Sequence, residues 1–549
     1  MAAVLAVIGC VVLLNTGKLA ITGLDLLVAL AAVLPFAHFH LGLLPFAGQA
    51  WLSTAYLLGF LIALVVGRQW QAWRPIRMGN ILFGAFLAAS LVSVGLQIYQ
   101  WLGMTSEADF FDIWVFGLAQ SRPYANLGQP NQLATLLLWG LLACGWSAYQ
   151  RHVRPAFAFA VAAFLVLGLA FTQSRTGFLG LCAIVAAAWW WRALLPQRQA
   201  AVYVSALIPI YFLLLLAIHW ASIALLLADP TSIATRTMGE MRPAVWGMLL
   251  DAAAQRPWLG YGWNEVLSAH LAVAENHPDF PVLFAHAHNL PLDLIIWSGF
   301  PAGLAVTAAL LAWAWTAQRR IREPAQVLLF LVLVVVMLHA MLELPLQYGY
   351  FLLPAGLVAG ALSAELKIWH LGAASRGARH AALVLLGAVT LLLALIIYDY
   401  FEAEASTVDV RMKLARIWSP VPPTPPDVIV LTQLRSMLAF GLTEPAAGQS
   451  AQALEQARDV TAHWITYPNM SRLIRLLALN GHTAEARCWM SKAMIVLPTE
   501  GRRRLISEMQ TFRKQQPQLA NIRWPTTVEN SACADLRQAR LGPWPQLGK

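Results

Sequence analysis

The sequence predicts an all-α polytopic membrane protein of about 12 transmembrane helices, with a helical soluble domain at its C-terminal end. Three observations predict this class. Of the 549 residues, 59% are hydrophobic and only 12% are charged, for a mean hydropathy of +0.61. A soluble domain carries about twice that charge. The apolar residues also gather in runs of roughly 20, the length of a helix that crosses a bilayer. From about residue 400 the composition turns polar, and a proline-rich stretch, "SPVPPTPPD" at 419–427, reads as a hinge that no helix crosses.

The expected spans lie near 3–15, 21–44, 50–67, 79–102, 131–149, 156–173, 176–194, 201–227, 290–316, 325–342, 347–364 and 381–399. The N-terminus lacks a basic leading segment and a cleavage site, so it reads as a first span and not as a signal peptide. The formal net charge is +10. In a polytopic chain, arginine and lysine report orientation before they report partners, so no nucleic acid is expected. Arg68, Arg74 and Arg77, then Arg151 and Arg154, Arg192 and Arg198, Arg319, Arg320 and Arg322, and Lys367, Arg376 and Arg379 all fall in alternate loops. Lys18 fits the same parity. That side is expected to be cytoplasmic.

The parity places the loops at 103–130 and 228–289, the turns at 174–175 and 343–350, and the tail from 401 to 549 on the outer side. In a Gram-negative host this is the periplasm, and the protein sits in the inner membrane. The transmembrane part is then 1–400. Within the tail, "SRLIRLLALNGHTAEARCWMSKAMIVLP" reads as two amphipathic helices broken at Asn480-Gly481, like one hairpin of a tetratricopeptide repeat. Cys10, Cys144 and Cys182 lie in apolar runs and read as buried thiols. Cys488 and Cys533, in the tail, are able to pair in an oxidising compartment.

Polar residues at an outer membrane mouth carry the functional reading, because charge there is costly. In "FTQSRTGFLG", Arg175 stands at a helix start flanked by Ser174 and Thr176. It reads either as a snorkelling arginine or as a phosphate ligand. In the outer loop, Arg242 precedes Pro243 in an amphipathic helix expected to turn Trp246, Leu249 and Leu250 to lipid. "YANLGQPNQLATLLLWG" brings Asn126, Gln129, Asn131 and Gln132 to the mouth, as sugar-binding amides or, with Asn131, as a helix cap. "HAMLELPLQYGYFLLPAGL" holds His339 and Glu343 four residues apart, then Tyr348 and Tyr350. "FAHAHNLPLDLIIWSGFPAG" places His286 and His288 at the lip of an apolar helix, with Asn289 as its cap and Asp293 one turn on. Neutral histidine is the natural base near pH 7. No DxD or other Mg²⁺-holding carboxylate cluster and no P-loop is present, so no metal and no cofactor is expected. Arginines would supply the counter-charge for a leaving phosphate.

The order of these features, "SR", an arginine-tryptophan helix in a large outer loop, then "AHN" entering a span, resembles the O-antigen ligase and polymerase superfamily. "NLGQPNQLA", "HAMLELPLQYGYFLLPAGL" and the helical tail are similar to the bacterial protein O-oligosaccharyltransferases. The resemblance covers nearly the whole chain. It implies transfer of a preassembled glycan from undecaprenyl diphosphate to a serine or threonine of an exported protein such as a pilin. The family's essential histidine maps to His288, with His286 an additional histidine beside it. The family's basic residues map to Arg175 and Arg242, and its late tyrosine to Tyr348 or Tyr350. The implied chemistry is metal-independent attack at the anomeric carbon, with inversion. Rival readings are an O-antigen ligase acting on lipid A core, a polymerase, a transporter and a membrane scaffold. Against a transporter, the spans read as continuous and show no matching halves.

Overall fold

The computed structural model describes residues 2–15, 19–105, 115, 122–195, 199–227, 238–277, 283–373, 376–414, 417, 424–529 and 533. Lys18, Arg198, most of the 103–130 loop, residues 228–237 and the proline-rich positions 419–423 lie outside them. The helices are α1 (Ala2–Asn15), α2 (Gly23–His40), α3 (Ala47–Trp73), α4 (Pro75–Trp101), α5 (Pro130–Tyr149), α6 (Pro155–Thr172), α7 (Arg175–Trp190), α8 (Ala200–Ala224), α9 (Met238–Gln255) and α10 (Val266–Val273). They continue with α11 (Leu290–Arg320), α12 (Pro324–Ala340), α13 (Gly349–Glu365), α14 (Arg376–Leu414), α15 (Thr432–Leu442), α16 (Ala451–His463), α17 (Tyr467–Leu479), α18 (Thr483–Val496) and α19 (Thr499–Gln515).

Among the described residues, eight helices are long and apolar enough to cross a membrane: α2, α3, α4, α5, α6, α8, α11 and α14. The other expected spans fall on shorter apolar helices, α1, α7, α12 and α13. Of these, α12 and α13 are largely buried among neighbours. The α3–α13 pair packs backbone to backbone. A Cβ at Gly67 would strike the backbone of Leu357, and one at Gly360 the backbone of Leu64. Small residues permit such close approach where no hydrophobic force drives helices together.

The basic ends of the helices meet. Arg68 pairs with Asp25 at 2.8 Å and donates to Thr22, at the start of α2. Arg320 donates to the carbonyls of Leu366 and Lys367 at 2.9 and 2.7 Å, and Gln71 to the Glu365 carboxylate. A two-stranded antiparallel ladder, β1 (Ala20–Thr22) with β2 (His370–Ala373), closes this end, Ala20 opposite Ala373.

Two spans differ from expectation. The helix expected to cross at 290–316 is broken. Gly299 adopts φ 78°, ψ 170°, so Leu290–Ser298 is a separate short helix. Residues 300–320, about 31 Å long, reach across a bilayer by themselves. The break is clamped by "GYG": Tyr261 and Gly262 donate their N–H groups to the carbonyls of Ile296 and Trp297 at 2.8 and 3.1 Å, and Phe300 donates to Pro257. Gly260 has φ 67°, and a Cβ there would press on the Ile296 carbonyl. The last span, expected to end at 399, continues as helix to Leu414. Its Asp399, fully buried, accepts from the N–H groups of Ile429, Val430 and Leu431 at 2.9, 2.5 and 2.8 Å. That ties the chain beyond the prolines back to the helix.

The expected hairpin forms as α17 and α18, with Gly481 at φ 81° in the turn. The tail does not stand apart from the membrane part. Phe46, from the α2–α3 turn, and Leu271 and Ala274, from the outer loop, belong to the same core as Val460, Leu473 and Met490 of the tail. Glu265 accepts from Gln49 at 2.7 Å and from His463 at 3.0 Å, so one buried carboxylate joins α3, the outer loop and α16. Gly48 donates its N–H to Thr432, and a Cβ there would strike Gln433. Cys488 and Cys533 form a disulfide that is buried at both ends.

Gly48→Val should therefore lift the tail from its seat without preventing insertion of the spans. Limited proteolysis of intact membranes should release a tail fragment from the variant much faster than from the wild type. Equal cleavage rates would show that the docking contributes little.

Candidate active site

Glu343 is the centre on which the site is built. It lies just beyond α12, where its N–H bonds the His339 carbonyl at 2.8 Å, and its side chain is 9% exposed. One oxygen, Oε1, accepts from Arg242 Nη2 at 2.6 Å and from Asn131 Nδ2 at 3.1 Å. The other, Oε2, accepts from His288 Nδ1 at 2.8 Å and from Gln129 Nε2 at 3.5 Å. Burial alone would push this carboxyl up. The hydrogen bond and charge of His288, with the charge of Arg242, outweigh that and hold it below the usual carboxylate range. An ionised Glu343 takes a proton from neither neighbour. It therefore keeps a proton on His288 Nδ1, so that in the neutral imidazole the lone pair is on Nε2.

The backbone around His288 is held with equal care. His288 has φ 51°, a conformation that costs a residue with a Cβ about 1 kcal/mol. The neighbours offset it. Asp293 Oδ1 accepts from the Ala287 N–H at 2.8 Å, and the Trp246 indole donates to the Ala287 carbonyl at 2.8 Å. Asn289 caps the short helix, its Oδ1 accepting from Leu292 N. The α9 helix thus faces inward more than expected. Leu249 is fully buried and Trp246 is used as a donor, so of the three residues expected to face lipid only Leu250 is exposed. Arg242 and Pro243 fall in the second turn of α9, not the first.

The remaining predicted residues divide into two groups. Asn131 is not the cap of α5, a place taken by Gln129. It bridges instead, accepting from Ser174 Oγ at 2.7 Å while donating to Glu343. Ser174 also caps α7, accepting from Gly177 N at 2.9 Å. Arg175 follows at the first position of that helix, exposed, and makes no hydrogen bond or ion pair among the described residues. Through Ser174 and Asn131 it is one link from the Glu343 cluster. Tyr350 donates to Gln132, which donates to Gln129, so this tyrosine joins the network. Tyr348 packs against Tyr350 with the rings tilted by 39° and centroids 5.4 Å apart. His286 accepts at Nδ1 from Gln347 at 3.0 Å. Burial, and then His288, push its pKa down to about 4. The His339 ring bonds Thr135 at 2.8 Å and makes no hydrogen bond to the Glu343 carboxylate. Asn126 is exposed.

Sequence reasoning overlooked Ser174 as a bridge, Gln347 as the partner of His286, and the "GYG" clamp. The glycines were the available signal for the last, since paired glycines around an aromatic mark a close backbone approach.

Residues 159–307 match the O-antigen ligase family, residues 327–510 the C-terminal region of virulence factor membrane-bound polymerases, and residues 123–146 the protein glycosylation ligases. A general O-oligosaccharyltransferase of Acinetobacter baylyi is 28% identical over 482 residues, 84% of this chain and 81% of that protein. The chain is similar over most of its length to a bacterial general O-oligosaccharyltransferase, and in part to the O-antigen ligases. It is a glycosyltransferase by that likeness. A ComP-specific O-oligosaccharyltransferase of the same organism is 29% identical over 44% of each chain, and an O-antigen ligase of Pseudomonas aeruginosa is 27% identical over 47% of this chain and 60% of its own. No solved structure matches the transferase.

The ionisable groups of the outer loop set a pH dependence. His286 and His270 are both pushed down to about 4, each by burial first, whereas an unfolded histidine titrates near 6.5. The unfolded chain therefore binds more protons between these values, and stability falls as pH falls through that window. Glu343 and Glu265, both held low, extend the loss below about 4.5. The melting temperature of the detergent-solubilised transferase should fall from pH 6.5 to pH 4, less steeply than the histidines alone would give because burial pushes the Asp459 carboxyl of the tail up to about 7, and His270→Gln with His286→Gln should flatten or reverse the slope. A flat wild-type curve would mean that these imidazoles are not buried in solution.

Proposed function

We propose that the protein transfers a preassembled glycan from undecaprenyl diphosphate to a serine or threonine hydroxyl of an exported protein. The observation that carries this reading is the Glu343 cluster: a carboxylate holding a histidine in the tautomer of a base, beside Arg242 and one link from the unpaired Arg175. His288 Nε2 takes the proton of the acceptor hydroxyl. The hydroxyl oxygen then attacks the anomeric carbon, and the carbon–oxygen bond to the diphosphate breaks with its electron pair leaving on the diphosphate. Attack opposite the leaving group inverts the anomeric centre. Arg175, at a helix N-terminus, meets the diphosphate. The free donors of Arg242 reach it from the other side, since only Nη2 is engaged by Glu343. Glu343 acts through His288, fixing its ring and stabilising the imidazolium that forms.

The basic loops and the disulfide support a site and tail that face the periplasm of the inner membrane. Basic loops are retained in the cytoplasm, and disulfides persist in oxidising compartments. The breadth of likeness to the general O-oligosaccharyltransferase favours a protein acceptor. The partial likeness to an O-antigen ligase makes lipid A core the second candidate.

Co-expression with a lipid-linked glycan pathway, in a host lacking its own ligase, tests both acceptors at once when a pilin-like protein and a complete lipid A core are supplied. Glycan should appear on the protein. His288→Ala should lower transfer by at least about 100-fold, with membrane insertion intact. Glu343→Gln should cost about 10- to 100-fold, because the imidazolium loses its counter-charge. Arg175→Ala should raise the donor KM, and Arg175→Lys should restore it only in part. Full activity in His288→Ala would sink the mechanism, whereas glycan on lipid A alone would change the acceptor and leave the mechanism standing.

A further inference from the structure

The two histidines of "HAH" are held in opposite tautomers. The ionised Glu343 accepts from His288 Nδ1, so His288 offers a lone pair at Nε2. Gln347 donates its amide N–H to His286 Nδ1 at 3.0 Å, and the same amide nitrogen lies 3.5 Å from Asn264 Oδ1. A ring nitrogen that accepts carries no proton in the neutral form, so the proton of His286 is on Nε2. That atom has no partner among the described residues and is not enclosed. The pair thus presents one acceptor and one donor, two residues apart on a stretch of backbone pinned at Ala287 from both sides.

We propose that His286 is a second substrate-contacting residue, a neutral imidazole whose Nε2–H donates a hydrogen bond to an oxygen of the departing diphosphate. The proposal rests on the transfer reading given above. As the bond from the anomeric carbon to the diphosphate breaks, its electron pair moves onto the diphosphate oxygen. His286 hydrogen-bonds that oxygen and keeps its proton, while the proton of the acceptor hydroxyl goes to His288 Nε2. A neutral donor suits this place. A positive charge on His286 would make His288 a weaker base, because each ring bears on the other electrostatically. Burial keeps His286 uncharged over the working pH range, and Gln347 selects which nitrogen carries the hydrogen. A neutral imidazole acting as an electrophile is an established catalytic arrangement.

Two substitutions separate this role from a structural one. An asparagine amide ends at the depth of Nδ1 and can preserve the bond to Gln347. A glutamine amide ends at the depth of Nε2 and can preserve the outward donor. Transfer to the acceptor should be measured against lipid-linked donor concentration for the wild type, His286→Gln and His286→Asn. Melting temperature serves as the control for folding. The expected result is that His286→Gln retains a third or more of kcat and His286→Asn loses at least tenfold. The reverse order, equal activity in both, or loss in both with unchanged melting would overturn the donor role and leave the transfer reading intact. A wild type that moves no glycan to either acceptor would instead remove the transfer reading, and this proposal with it. Should both variants melt early, Gln347→Leu decides: it frees the tautomer without touching Nε2 and should cost at least fivefold, whereas undiminished activity would overturn the proposal.

Discussion

A buried carboxylate shared between a guanidinium and an imidazole is the constraint on which the site depends. Glu343 comes from the turn after α12, Arg242 from α9, His288 from the loop before α11, and Asn131 from the start of α5. Four separate stretches of the chain converge on two oxygens. The cost of burying the charge is several kcal/mol if it is left alone, so the fold has to deliver all of its partners together. The same requirement orders the site: where the carboxylate is ionised, the proton on His288 has only one place to be.

The broken helix is the device that delivers His288. A continuous span would carry its N-terminus straight out of the membrane. The Gly299 kink lets Leu290–Ser298 turn aside, and the "GYG" segment occupies the backbone groups that the break leaves open. His288 sits just ahead of this short helix in a left-handed conformation. Strain of that kind persists only where the surroundings over-determine it, and here Asp293, Asn289 and Trp246 do so.

Much of this was legible in the sequence. The apolar run lengths located the helices, eight of them long and apolar enough to cross a membrane among the described residues, and Arg175, Arg242, His288 and Glu343, expected on one side, lie close together. The hairpin at Asn480-Gly481 was legible because glycine marks a helix end. The break at Gly299 was not. Single glycines are common in membrane helices, and only the approach of residues 257–262 distinguishes this one. The role of Asn131 was hidden for a related reason: a polar residue near a helix start looks like a cap until its partner, 212 positions away, is known. The inward face of α9 escaped because amphipathicity shows that a helix has two faces and not which neighbour, lipid or protein, takes the apolar one.

The seat of the tail bears on how the protein is made. Phe46 emerges early from the ribosome, Leu271 midway, and the helices that bury them with Val460 and Met490 come last. Until then, the α2–α3 turn and the outer loop present bare apolar surface, and Glu265 lacks its hydrogen bond from His463. The outer loop also carries Arg242 at one end and leads into His288 at the other. The seating of this loop therefore waits on the final third of the chain, so a nascent or truncated protein would carry Arg242 and His288 on a loop whose apolar face is still uncovered.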